Sequence, residues 1–61
     1  RRAAMPHWEA LTLVARGRLH EAWNNSEAAR ADYARAIAIF TDLGSGLELE
    51  RAQALLESLS S

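Results

Sequence analysis

Glu27-Ala28-Ala29-Arg30-Ala31-Asp32-Tyr33-Ala34-Arg35-Ala36-Ile37-Ala38-Ile39-Phe40, continued by Thr41-Asp42-Leu43-Gly44, is the stretch from which the rest of the chain is read. Ala29, Tyr33, Ala36, Ile37, Phe40 and Leu43 recur at the three- and four-residue steps of one helix face. The residues between them are strong helix formers, with few β-branched side chains. Ser26 is the expected N-cap, and Glu27 sits in the first turn, where the helix dipole favours an acid. Gly44 follows Leu43 as a helix-ending C′ glycine should. Glu27–Arg30 and Asp32–Arg35 are spaced as exposed i,i+3 pairs on the outer side. The stretch predicts a helix over 26–43.

The flanking segments follow the same grammar. Breakers cluster around Pro6, Asn24-Asn25-Ser26 and Gly44-Ser45-Gly46, and nothing alternates with period two, so no strand is expected. A first helix is predicted over about 6–23. It begins at a proline whose missing N–H costs nothing in the first turn, and it ends at asparagines that tolerate left-handed backbone. Trp8, Leu11, Ala15, Leu19 and Ala22 form one stripe along it, while Leu13, Val14 and Gly17 widen the apolar surface toward a second face. A third helix is predicted over 47–59. Leu49, Ala52, Leu56 and Leu59 line one side of it, Leu47 and Leu55 extend that side, and Glu48–Arg51 forms a further exposed pair. Short connections make consecutive helices antiparallel neighbours. The fold class expected is all-α, an antiparallel helical hairpin with a third, capping helix.

Composition sets limits on what such a chain can be. Of 61 residues, 13 are alanine, leaving 17 larger apolar side chains for a core. A chain this short is marginal alone, and with no cysteine it has neither disulfide nor thiolate–metal reinforcement. Net charge is −1, so there is no electrostatic footprint for nucleic acid or anionic lipid. No apolar run is long enough for a membrane span, and no signal-peptide pattern opens the chain. The expected location is the cytoplasm. Met5 is not the first residue, and the chain reads as the C-terminal fragment of a longer array, with Arg1 and Arg2 a solvated end or the tail of a preceding helix.

Sliding the sequence on itself by 40 residues lays the first helix over the third, with Ala15 over Leu55 and Leu19 over Leu59. Periods of 20–50 residues built from helix pairs mark α-solenoids. Gly17 sits mid-helix, where glycine costs about 1 kcal/mol relative to alanine. Ala29 and Ala36 put small side chains on the inner face of the second helix, with Tyr33 between them. Small residues facing one another allow a close backbone approach, with Tyr33 and Phe40 filling the space beside it.

The set Leu13, Gly17, His20, then Ala29, Tyr33, Ala36 and Phe40, resembles the packing pattern of the tetratricopeptide repeat. Over residues 8 to 59 the chain is similar to the roughly 40-residue repeats of large bacterial regulators, the LuxR- and MalT-type activators and the ATPase proteins with cyclase domains. Leu13 stands where that family has tryptophan, Arg16 where it has leucine and His20 where it has tyrosine. Gly44 replaces the closing proline. The resemblance implies a non-catalytic module that binds a protein or peptide partner, or stacks on adjacent repeats of its parent chain.

Candidate chemistry is sparse. His7 and His20 point about 220° apart on one helix and cannot share a metal, and the ligand set of a zinc site is missing. Glu48 and Glu50 do not form a facing carboxylate pair, and Glu21 and Glu57 read as solvated charges. Gly44-Ser45-Gly46 lacks the preceding strand and following lysine of a phosphate loop. No catalytic, cofactor-binding or metal residues are therefore assigned. A three-helix DNA-binding domain fits in outline, but the second and third helices carry too many acids for a recognition helix, so no nucleic-acid or membrane partner is expected. Trp8 and Trp23 are the candidate interface residues, and a homo-oligomer that buries the stripes of two chains is the alternative to the repeat reading.

Overall fold

The computed structural model describes residues 6–60, with side chains for 7–59. Arg1, Arg2, Met5 and Ser61 lie outside the described residues. Three helices follow in order, α1 Pro6–Ala22, α2 Ser26–Leu43 and α3 Gly46–Ser60. Among the described residues there is no strand. The architecture is the all-α hairpin with a third helix that the sequence predicts.

Both turns are built by the same backbone device. At the end of α1, Asn24 takes a left-handed φ of 59°. Asn25 N–H then reaches back to His20 C=O at 2.8 Å, and Asn24 N–H to Glu21 C=O at 3.0 Å. At the end of α2, Gly44 adopts φ 71°. Ser45 N–H donates to Phe40 C=O at 3.0 Å and Gly44 N–H to Thr41 C=O at 3.2 Å. These are Schellman closures, which satisfy carbonyls that the helix end would otherwise leave unpaired. The N-cap of α2 differs from expectation by one residue. Asn25 takes that place, its side chain accepting from Ala28 N–H at 3.4 Å, and Ser26 is already helical. Once Asn24 has turned the chain, Asn25 is the residue with extended freedom and a side-chain oxygen at the right height.

α1 and α3 both pack on α2. α3 also touches α1 directly, through His7 and Glu48. The core sits where all three meet: Ala10 and Leu13 from α1, Ala36 and Phe40 from α2, and Ala52 from α3, flanked by Val14, Ile37, Ile39 and Leu49.

Burial corrects the expected face of the first helix. Trp8, Leu11, Ala15, Leu19 and Ala22 are all exposed, and the buried face is Ala10, Leu13 and Gly17. The two faces are opposite one another at 100° per residue. Both are apolar, so periodicity alone does not rank them, but only one carries a glycine. A Cβ on Gly17 would lie 2.5 Å from Tyr33 Cε1, so α2 can seat its tyrosine on α1 only at that position. The ring itself fills the close contact, instead of flanking an approach between Gly17 and the two alanines. In α3, Leu47 is 66% exposed. It lies about 140° round the helix from Ala52, off the packed face it was expected to extend.

Candidate functional site

Polar groups gather at the closed end of the hairpin. Tyr33 is fully buried, and its hydroxyl donates a short hydrogen bond to Glu21 Oε2. Burial, then that hydrogen bond and the adjacent negative charge, push the phenol above its usual range, and Arg18 partly offsets them. Glu21, read from the sequence as a solvated charge, is instead the partner that lets a tyrosine ring be buried to its tip.

Asp32 is buried at 7% exposure and does not pair outward with Arg35. Its Oδ2 faces His20 Nε2 at 3.5 Å and Arg16 Nε at 3.7 Å, both on α1. No hydrogen bond reaches Asp32 Oδ2 or His20 Nδ1 from the protein, so the attraction of Asp32 to the Arg16 guanidinium is purely electrostatic. The i,i+3 rule fails here because the face next to Tyr33 and Ala29 turns inward and takes Asp32 with it. A polar link between α1 and α2 therefore crosses the hairpin here.

The other end holds a second polar contact. His7 Nε2 approaches Glu48 Oε2 at 3.2 Å, which ties the start of α1 to the start of α3. The His7 ring meets Phe40 edge-on with centroids 6.1 Å apart. Glu48 is thus engaged between helices, where the sequence suggested an exposed pair with Arg51.

Beside this contact a groove of about 210 Å³ runs between α1 and α3. Phe40, Val14, Ala52 and Leu55 supply apolar walls, with Leu11 at the edge. Arg18 from α1 and Arg51 from α3 stand on its rim with Glu48. The groove exists because α1 and α3 lean on the same helix and meet at His7 and Glu48. Sequence spacing gives no direct sign of it, since its walls come from three segments.

The sequence-predicted residues divide cleanly. Leu13, Gly17, Ala29, Tyr33, Ala36 and Phe40 are buried and His20 is half-buried. Trp8 and Trp23 are each 66% exposed, at opposite ends of α1. Trp23 makes one edge contact, with the His20 ring at 6.1 Å. His7 and His20 each meet a carboxylate and not one another. Among the described residues, no three or more His, Cys, Asp or Glu side chains come together as a metal site. No helix of the described residues is long and apolar enough to cross a membrane.

The class that the fold defines is an all-α helical hairpin with a third helix. Compared with protein-family models, with curated protein sequences and with solved structures, the chain matches none.

Proposed function

We propose that this chain is a non-catalytic, tetratricopeptide-like interaction module that holds a protein or peptide segment in the groove between α1 and α3. The system it serves is a bacterial signalling or transcriptional regulator in the cytoplasm, as the repeat resemblance implies. The observation that carries the reading is the groove itself: apolar walls from Phe40, Val14 and Leu55 under a rim with two arginines. Small apolar pockets with a few placed charges suit an anchored side chain and a fixed orientation. Two arginines against one glutamate, which already meets His7, favour a segment with an acid beside its apolar anchor.

Panning a displayed peptide library against the chain tests this. Enriched sequences should pair an acidic residue with a large apolar one, and Arg51→Glu should weaken their binding about tenfold or more. Replacing Leu47, which lies off the groove, should change nothing. Peptides that bind equally well to wild type, Arg18→Glu and Arg51→Glu would rule the groove out.

A further inference from the structure

The groove takes only Leu11 from the outer face of α1. That face carries Trp8, Leu11, Thr12, Ala15 and Leu19, with Trp23 just past its end, and no charged residue. It points away from α2, since Ala10, Leu13 and Gly17 lie on the other side of the helix.

We propose that this face is the interface of a two-fold homodimer, in which two α1 helices pack antiparallel with Ala15 on the axis. The stripe is self-complementary about that residue. Leu11 and Leu19 stand four positions to either side, and Trp8 and Ala22 seven positions to either side. A two-fold interface requires that residue i of one chain meet residue j of the other and the reverse. Around Ala15, Leu11 meets the second copy's Leu19, and the bulky Trp8 meets the small Ala22.

The surface relief agrees with this register. A dent of about 280 Å³ is lined by Trp8, Leu11, Thr12 and Ala15. Residues i, i+3, i+4 and i+7 are the four that form the hole for a knob from a facing helix. In the register set by Ala15, the side chain opposite the centre of that hole is Leu19 of the second copy, which is 51% exposed in one chain. Two such knob-and-hole contacts form at once, one on each side of the axis. With small alanines meeting at the centre, the helix axes can approach closely.

The area is sufficient. A tryptophan buries up to about 250 Å². At 66% exposure each therefore still offers about 160 Å². With the leucines, alanines and Thr12 the face reaches roughly 600 Å² per chain, at the lower end of specific interfaces.

Sedimentation of the full chain across a concentration series tests the proposal. The expected result is a monomer–dimer equilibrium, with the heavier species twice 6.7 kDa. Leu19→Arg removes the knob at an exposed site. It should raise the dissociation constant about tenfold or more while circular dichroism shows helicity retained. Leu47→Arg, exposed on α3, should leave the equilibrium unchanged. Register is read by cross-linking, because the chain has no cysteine of its own. Oxidising a mixture of Leu11→Cys and Leu19→Cys chains should join unlike chains, and neither variant should cross-link to itself. A monomer at all concentrations would overturn the proposal. So would a dimer indifferent to Leu19→Arg, or each cysteine variant pairing with its own kind. These readouts are oligomeric state and cross-linking, and Leu19→Arg, which decides between the outcomes, lies outside the lining of the α1–α3 groove.

Discussion

At the scale of single residues, the hairpin rests on one unusual contact, a tyrosine ring seated on a glycine. Gly17→Ala is ordinarily favourable inside a helix, by about 1 kcal/mol. Here the new methyl would stand 2.5 Å from Tyr33 Cε1 and 2.8 Å from Cδ1, with ring atoms that cannot yield without leaving Glu21. Overpacking costs about 1–3 kcal/mol, so the expected net change is destabilising despite the propensity gain, and a urea titration measures it. Tyr33 also gives the fold an alkaline limit. Its folded pKa lies above the unfolded value, with burial the largest cause and Glu21 next. The contribution is therefore full below pH about 10 and is lost as pH rises past that value, because the unfolded chain ionises first. The chain has one tyrosine and no lysine, so this limb is open to direct observation. Melting temperature should fall above pH about 10 together with the appearance of tyrosinate absorbance. Tyr33→Phe should flatten that slope while costing about 1 kcal/mol at neutral pH through the lost hydrogen bond.

At the scale of elements, helix ends and helix faces were not equally legible from sequence. The ends of α1 and α2 follow from Asn24 and Gly44, because left-handed backbone has few residue solutions and each turn contains one. Gly44→Ala tests this: at φ 71° with no neighbour near the missing Cβ, the cost is conformational. It should be about 1 kcal/mol, read as a lower melting temperature with the fold retained. The inner face of α2 was legible as far as Phe40, with Ala29, Tyr33, Ala36, Ile37 and Phe40 turned toward the other helices, but Leu43, expected on the same stripe, is 40% exposed at the helix end. α1 was not, because it has two apolar faces and periodicity counts residues without weighing shape. The decision lay in a contact between segments, Tyr33 against Gly17, and the bulkier stripe was left outside. Asp32 and Glu21 were missed for the same reason. Each lies among charges that look solvated along one helix, and each is turned inward by a neighbour on the other. The α1–α3 groove was beyond a one-dimensional reading, since its walls join residues 11 to 55 across three helices.

At the scale of the whole molecule, stability depends on the place where three helices share one side chain. Phe40 is 1% exposed and belongs to the cluster that takes Ala10 and Leu13 from α1 and Ala52 from α3. Its ring also meets His7, which in turn holds Glu48 at the start of α3. Folded domains retain about 0.05–0.15 kcal/mol per residue, which for a chain of this length is about 3–9 kcal/mol in all. Truncating a buried phenylalanine to alanine costs about 3–5 kcal/mol. A chain this short sits toward the lower end of the stability range, where the loss matches the total, so Phe40→Ala should bring the whole chain to or below its folding midpoint, and α1 and α3 should be lost with α2. Far-ultraviolet circular dichroism at room temperature should show most of the helical signal gone and no cooperative melt remaining. Leu47→Ala, off the core, should keep both signal and midpoint. A Phe40→Ala chain that still melts cooperatively near the wild-type temperature would mean that the hairpin stands without the three-way contact. Tyr33 on Gly17 would then be the element that holds the molecule together.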